Sequence, residues 1–150
     1  MPRFSFLNVI ILTVFAWLML SPYESRADTW LVATLASYHT DRDVDHCERN
    51  PGLGVEVDVA PRWRAAGGFY LNSYCKQTVY TGAVRNLAND GKWHFGVLLG
   101  GVTGYDAGIT PVIMPVFSYE EKRWGVNIGV MPALDAKIIG IVGLQLKARF

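Results

Sequence analysis

The sequence has little surplus charge of either sign. Its 150 residues carry a formal net charge of +1, and after residue 27 the basic and acidic side chains are equal in number. Proteins that bind nucleic acid usually concentrate Lys and Arg on one surface, so this balance gives no support to a nucleic-acid partner. The chain beyond residue 27 also lacks an apolar run near the ~20 residues that a membrane-spanning helix needs. Any membrane crossing there must therefore use strands.

A compact apolar run occurs only near the start of the chain. Arg3 gives a positive beginning, residues 9–20 are apolar, and residues 25–27 read Ser-Arg-Ala, a small-x-small cleavage pattern. The run is shorter than the ~20 residues of a membrane anchor, and Pro22 follows it closely. We therefore predict a secretory signal peptide over residues 1–27 and one exported domain over residues 28–150.

Cysteine and histidine are both scarce. Cys47 and Cys75 are the only cysteines. After export to an oxidising compartment they either form a disulfide or remain as incidental thiols. His46 stands beside Cys47, but no second cluster at ligand spacing accompanies them. We predict no metal site and no cofactor.

Alternation of apolar and polar residues recurs along the rest of the chain. Hydrophobic residues make up 51% of the sequence and glycine occurs 15 times. This composition is too apolar for a small secreted domain whose faces are all solvated, and it suits a barrel whose outer wall contacts lipid. The alternation predicts extended segments at residues 30–39, 53–59, 63–73, 77–86, 92–103, 111–119, 124–130 and 138–150.

The final segment is the most informative one. Its apolar face and its polar face alternate residue by residue, and it ends on an aromatic residue, Phe150. A soluble barrel of the lipocalin type also alternates, but gives a terminal aromatic residue no special place. We therefore predict an all-β fold, an eight-stranded antiparallel transmembrane β-barrel in the bacterial outer membrane.

Strand parity places two chemically useful side chains at one rim. With an even number of strands both chain ends face the periplasm, and the odd-numbered connections face the exterior. His39 and Ser73 then end neighbouring upward strands, about two strand spacings (~10 Å) apart. A His base beside a Ser hydroxyl suggests acyl transfer or ester hydrolysis on a lipid. The alternative is a polar rim histidine and an ordinary strand-end serine.

Several short motifs together resemble one known family. In order they are Tyr38-His39, Glu48-Arg49 followed by Pro51 and the glycines at 52 and 54, Asn72-Ser73, residues 111–115 (Pro-Val-Ile-Met-Pro), Met131-Pro132, and the terminal Arg149-Phe150. Their order and spacing resemble the lipid A palmitoyltransferase family, PagP. The resemblance extends over essentially all of residues 28–150, as scattered motifs. It implies an outer-membrane barrel that moves a palmitoyl chain from a phospholipid donor to lipid A, and we expect a monomer.

The resemblance also assigns candidate catalytic residues. The essential His of the family falls on His39 and its essential Ser on Ser73. The Asp that precedes this Ser falls on Asn72, whose amide cannot supply a negative charge to an imidazolium. Three interpretations stay open: Asn72 supplies hydrogen bonds alone, Asp41 or Asp43 replaces the carboxylate, or the protein is inactive.

Candidate substrate contacts follow from the same resemblance. Pro115 and Pro132 lack the backbone N–H that a sheet needs, so they mark either bulges and strand ends or lateral openings for lipid chains. The family glycine that sets the depth of the acyl pocket falls on Val84, with Gly82 two residues earlier, which implies a chain shorter than palmitate.

Glu48 and Arg49 are either solvated loop charges or contacts to lipid A phosphates, directly or through bridging cations. Two other functions stay open beside acyl transfer. One is a non-catalytic barrel that stabilises the envelope or serves as a surface receptor, an alternative motivated by Asn72. The other is a lipid A deacylase.

Overall fold

The chain folds into one closed antiparallel barrel. A computed structural model describes residues 28–105, 108–131 and 140–150, so the predicted signal peptide lies outside the described residues. Each strand pairs with the next, and β1 pairs with β8 to close the sheet. The strands are β1 (Thr29–His39), β2 (Arg49–Ala60), β3 (Trp63–Leu71), β4 (Gln77–Asp90), β5 (Trp93–Tyr105), β6 (Gly108–Glu120), β7 (Trp124–Met131) and β8 (Ile141–Arg149). The prediction of an eight-stranded antiparallel β-barrel is confirmed.

Apolar side chains cover the outside of this barrel. On β8, Val142, Leu144 and Leu146 are exposed, while Lys147, which follows Leu146, is buried. The same pattern recurs around the wall, where large exposed side chains include Leu53, Phe69, Val79, Leu99, Ile113, Phe117 and Ile128. A soluble barrel would show the reverse arrangement, so the apolar band is the lipid-facing wall of a membrane barrel. None of the described residues forms a helix long and apolar enough to cross a membrane.

The inside of the barrel holds a polar layer. Glu120 Oε1 lies 2.5 Å from Arg64 Nη1 and 2.6 Å from Lys147 Nζ, and Lys147 Nζ is also 3.1 Å from Glu56 Oε2. Asn127 Nδ2 donates to the other oxygen of Glu56 at 2.6 Å. Each of these charges is buried and paired, as the low-polarity interior requires.

Most strand boundaries differ from the prediction by a few residues; β3, for example, ends at Leu71, so Ser73 lies in the following turn and not at the strand end. The two largest differences are at the start of β2 and the end of β4. β2 begins at Arg49 instead of Leu53, because the β1–β2 register shifts at this point and Pro51, which has no N–H to donate, falls within the irregular part of the ladder. β4 continues through Leu87 to Asp90, where a turn was expected to begin, since a second register shift between Asn86 and Ala88 absorbs the extra residue. The first residues predicted for the last strand, 138 and 139, lie outside the described residues.

The two ends of the barrel have different connections. The turns at residues 61–62, 91–92 and 121–123 are short and define the lower rim. The opposite end, here called the upper rim, carries the 40–48 loop and the turn at residues 72–76. Both His39 and Ser73 belong to the upper rim.

Candidate functional site

A β-bulge aims His39 into the barrel. Along the lower part of β1 the inward side chains are Trp30, Val32 and Thr34, and Thr34 Oγ1 accepts a hydrogen bond from the inward Gln145. Between Thr34 and Ala36 the register against β8 shifts by one extra residue of β1, Leu35. The register against β2 is also irregular at this point. The inward face therefore changes from even to odd residue numbers. His39 is consequently 1% exposed.

Ser73 is held against the 40–48 loop by the turn that follows β3. Its carbonyl oxygen accepts a hydrogen bond of 2.8 Å from the Cys47 N–H. Cys47 and Cys75 form a disulfide between the same two segments, with Cα atoms 5.5 Å apart. The sequence left open whether these two cysteines pair, and the structure shows that they form a disulfide. The turn that carries Ser73 is thus fixed to the 40–48 loop by a disulfide at Cys75 and by a backbone hydrogen bond at Ser73.

The structure brings His39 and Ser73 into direct contact. Ser73 Oγ lies 2.7 Å from His39 Nε2, the distance of a hydrogen bond. The carboxylate that faces the other ring nitrogen belongs to Glu48, whose Oε1 is 3.8 Å from His39 Nδ1. A hydroxyl, an imidazole and a carboxylate therefore lie in the same order as in a serine hydrolase, but His39 Nδ1 is buried without a hydrogen-bond partner among the described residues, so Glu48 acts on the ring through its charge alone. The predicted meeting of His39 and Ser73 is present, while their catalytic roles stay predictions.

Glu48 is fixed by two donors. Its Oε1 accepts from the His39 backbone N–H at 3.1 Å and from Arg42 Nη1 at 2.6 Å, and it faces His39 Nδ1. The His39 N–H and the Arg42 guanidinium hold the pKa of Glu48 below its usual range. Glu48 thus stays ionised near the imidazole. The sequence left Glu48 as either a solvated loop charge or a lipid A contact and missed this position beside His39, because it depends on the bulge in β1.

Asn72 serves the turn rather than the imidazole. Its side chain is fully buried, and its Oδ1 accepts from the N–H groups of Tyr74 at 2.9 Å and Lys76 at 3.0 Å. Its Nδ2 donates at 3.0 Å to the carbonyl of Gly104, whose φ of 81° is favourable for glycine alone. These contacts use both ends of the amide, and none of them reaches His39 or Ser73. A catalytic role for Asn72 is untested, and the geometry gives its side chain a positioning role.

His46 covers the site from the loop. Its ring stacks on the ring of His39 with centroids 4.1 Å apart and planes inclined by 14°. The His46 ring nitrogens are buried without a hydrogen-bond partner among the described residues. Stacking restricts rotation of the His39 ring, which keeps Nε2 directed at Ser73. In the described part of the chain no group of three or more His, Cys, Asp or Glu is arranged to hold a metal ion.

The two predicted pocket residues on β4 face the barrel interior. A Cβ atom added to Gly82 would lie 3.2 Å from Leu98 Cδ1, and one added to Gly96 would lie 3.0 Å from Val84 Cγ1. Both positions are therefore lined by apolar side chains. On the other side of the interior, a Cβ added to Gly143 would meet no atom within 4 Å, so space is open below the upper rim.

The wall between β6 and β7 is incomplete above Pro115. The β6–β7 ladder runs from Glu120 with Gly125 up to Val116 with Gly129. Higher up, Val130 and Met131 pair with β8, and the described residues show no pairing of them with β6. Pro115 stands where the ladder ends, and the Met114 side chain lies against Gly129 beside it. The sequence expected a gap at Pro115, while Pro132 lies outside the described residues.

Comparisons with known proteins place the fold among membrane barrels. No family model and no curated protein matches the chain. Two similar solved structures are de novo designs: the barrel TMB2.3, at 13% identity and a TM-score of 0.64 over 85% of this chain and 98% of the design, and a designed transmembrane β-barrel, at 14% identity and a TM-score of 0.63 over 85% of this chain and all of that one.

A third similar structure is a natural protein. The outer membrane protein Ail of Yersinia pestis, in a phospholipid nanodisc, is 11% identical with a TM-score of 0.54 over 83% of this chain and all of Ail. At these identities the likeness concerns the fold alone. The chain therefore has the eight-stranded fold of transmembrane β-barrels of the outer-membrane type.

Proposed function

We propose that the protein is a lipid acyltransferase of the bacterial outer membrane, which moves an acyl chain from a phospholipid to lipid A. The observation that carries the proposal is the 2.7 Å contact between His39 Nε2 and Ser73 Oγ beside the ionised Glu48. The site lies at one end of a wall that faces lipid. In the proposed outer-membrane setting, this end would meet the ester groups and headgroups of the bilayer. Ester-linked lipids are the substrates that such a position makes available.

The first half of the reaction forms an acyl-serine. His39 Nε2 takes the proton of the Ser73 hydroxyl as Oγ attacks the ester carbonyl carbon of the phospholipid. The tetrahedral intermediate collapses, the ester C–O bond breaks, and the imidazolium returns the proton to the departing lysophospholipid oxygen. The negative charge of Glu48 stabilises the imidazolium while it exists.

The second half transfers the chain to the acceptor. A lipid A hydroxyl gives its proton to His39 Nε2 and attacks the acyl-serine carbonyl. The Ser73 Oγ–C bond then breaks, and Oγ regains the proton. Transfer instead of hydrolysis requires that lipid reach the ester before water does. The burial of His39 beneath the His46 ring supports such exclusion of water.

The barrel also has features suited to an acyl chain. The incomplete β6–β7 wall above Pro115 is a path by which a chain could enter from the membrane. The apolar neighbours of Gly82 and Val84, together with the space beside Gly143, are places where the chain could lie. The layer containing Asn127 and Glu56 would form a polar floor that limits its length.

Mass spectrometry of lipid A tests the proposal. The parent chain and the Ser73→Ala and His39→Ala variants are expressed in a Gram-negative host, and folding of each is checked by the change in electrophoretic mobility on heating. We expect one added acyl mass on lipid A with the parent chain and none with either folded variant. Unchanged lipid A with the folded parent would identify a non-catalytic barrel, and loss of an acyl chain would identify a deacylase. Either result overturns the proposal.

A further inference from the structure

A cavity opens at the lower rim, at the end of the barrel opposite His39 and Ser73. Its volume is about 750 Å³, within the range of ~300–1,000 Å³ that is usual for ligand pockets. Residues of the three short lower-rim turns line its mouth, and side chains from the lower ends of β3 to β6 form its floor. No step of the proposed acyl transfer uses this cavity.

The floor brings together polar side chains from three neighbouring strands. Arg64 on β3, Asn86 on β4 and His94 on β5 all line the cavity. β4 pairs with both of the other strands, and paired strands lie ~4.8 Å apart. The Asn86 side chain faces inward, because a Cβ atom added to the buried Gly96 would lie 3.2 Å from Asn86 Oδ1. A guanidinium, an amide and an imidazole therefore border the same space.

Each of these three side chains has a polar group that is not used within the barrel. Arg64 bonds its carboxylate partners through Nε and Nη1, and Nη2 has no partner among the described residues. His94 Nε2 lies 3.6 Å from Glu120 Oε2, which is longer than a hydrogen bond. Over residues 28–105, 108–131 and 140–150, no hydrogen bond is found for the His94 ring or for the Asn86 amide. Polar groups this far inside a protein usually have partners, so these three can bind a ligand.

The charges around the cavity favour a ligand with a single negative charge. Five cationic and four acidic side chains line the cavity, and each acidic one has a cationic partner within 3.2 Å. In contrast, no ion pair is found for Arg62 or Lys122 at the mouth within the described part of the chain. The surplus positive charge attracts an anion, while the four carboxylates repel a second negative charge. A carboxylate therefore suits the cavity better than a phosphate dianion.

The remaining lining suits a ligand that is longer than its charged group. Leu87 and Ala88 offer apolar contact, and Asn89 offers an amide that both donates and accepts hydrogen bonds. These are the contacts that the side chains and the backbone groups of a peptide require. The volume of the cavity also exceeds that of a carboxylate group by far.

From these observations we propose that the lower-rim cavity binds the C-terminal carboxylate of a short peptide. Arg64 Nη2 and the Asn86 amide donate hydrogen bonds to the carboxylate at the floor, and such charge-assisted bonds are stronger than neutral ones. Arg62 and Lys122 attract the anion to the mouth. In the predicted orientation both chain ends face the periplasm, so the peptide enters from that side.

NMR titration of the purified, ¹⁵N-labelled barrel in micelles of an uncharged detergent tests the site. The probes are acetyl-trialanine with a free C-terminal carboxylate, the same peptide with a C-terminal amide, and inorganic phosphate. We expect saturable shifts of lower-rim signals with the carboxylate peptide and at least tenfold weaker binding of the other two probes. Asn86→Ala should weaken binding of the carboxylate peptide about tenfold, because it removes a hydrogen bond to a charged group. This variant should fold normally, since the Asn86 side chain has no hydrogen bond to any described residue.

Two neighbouring cations of one turn provide a matched control. Lys122→Gln removes an unpaired charge from the mouth and should weaken binding about threefold, because exposed charges contribute little. Arg123→Gln removes an exposed charge that does not line the cavity and should bind like the parent. The inference is overturned if no lower-rim signal shifts saturably, if the amide or phosphate binds as well as the carboxylate peptide, if Asn86→Ala binds like the parent, or if Lys122→Gln and Arg123→Gln bind equally. The result does not depend on acyl transfer, since His39 and Ser73 lie at the opposite rim.

Discussion

Two residues at the upper rim support His39 and Ser73 in different ways. The negative charge beside the imidazole comes from Glu48, whereas Asn72 ties the serine turn to Gly104. The sequence identified His39 and Ser73 because both residues were predicted to end strands on the same rim; Ser73 in fact lies in the turn after β3. It looked for the carboxylate at Asp41 or Asp43, next to His39 along the chain. Glu48 reaches the ring instead because the Ser37 N–H donates to its carbonyl oxygen across the β1–β2 pairing, which no local pattern reveals.

Replacing Glu48 by Gln should reduce acyl transfer strongly while leaving the barrel folded. The amide keeps the size of the side chain but removes the charge that stabilises imidazolium, so we expect kcat to fall by about 10²- to 10⁴-fold. The measurement is the rate of lysophospholipid release by purified enzyme in mixed micelles. Asp43→Asn, an exposed change in the same loop, is the control and should retain nearly full activity. Equal rates for both variants would remove Glu48 from the mechanism.

Asn72→Asp, which restores the residue expected from the family, should weaken the protein instead of improving it. The new carboxylate would lose the hydrogen bond to the Gly104 carbonyl and would place a buried charge beside that oxygen. We expect a loss of about 1–3 kcal/mol in the free energy of unfolding, measured by urea titration in lipid vesicles. Higher activity at unchanged stability would show that residue 72 acts on His39 after all.

At the scale of strands and loops, alternation located all eight strands but not their irregularities. A period of two assigns faces correctly only until a bulge occurs, and Leu35 reverses the inward face just before His39. A regular β1 would have directed His39 at lipid and Tyr38 inward, whereas Tyr38 is 54% exposed. The strand count and the closure of the barrel could be predicted without knowing where the bulges lie, because they depend on composition and on the number of alternating segments.

The disulfide should matter for both stability and activity, because it joins the loop of Glu48 to the turn of Ser73. Cys47 and Cys75 are 28 residues apart in sequence. Closing a loop of that size contributes about 3.6 kcal/mol in the chain-entropy account. The Cys47→Ser/Cys75→Ser double variant should therefore unfold at lower urea concentration and should lose activity through kcat more than through KM. Dithiothreitol should reproduce the effect in the parent chain and have no effect on the double variant.

At the scale of the whole molecule, the apolar wall and the ionic interior explain why this sequence needs a membrane. The outward side chains are apolar, so their exposure to water is unfavourable. The inward charges around Glu120 and Lys147 are buried as ion pairs of opposite sign. The sequence predicted the inward position of Lys147 from the alternation in β8. It did not predict its partners, because Glu56, Arg64 and Glu120 come from strands that are distant in the chain.

Two adjacent glutamates provide a matched test of this interior. Glu120 is buried between Arg64 and Lys147, while Glu121 at the lower rim pairs with the exposed Lys92. Removing one partner from a buried ionic group costs about 3–5 kcal/mol, so Glu120→Gln should destabilise the barrel severely. An exposed pair contributes about 0–1 kcal/mol, so Glu121→Gln should change little. Similar urea midpoints for the two variants would contradict the claim that the buried ionic group around Glu120 stabilises the barrel.

The central claim is that His39 activates Ser73 as a nucleophile at the upper rim, and covalent labelling tests it most directly. The folded barrel is treated with a long-chain alkyl fluorophosphonate, which reacts with activated serine hydroxyls, and the modified peptide is identified by mass spectrometry. The account predicts one label, on Ser73, that is lost in His39→Ala although this variant still shows the mobility shift of a folded barrel. An unlabelled Ser73 in the folded parent, or equal labelling with and without His39, would contradict it.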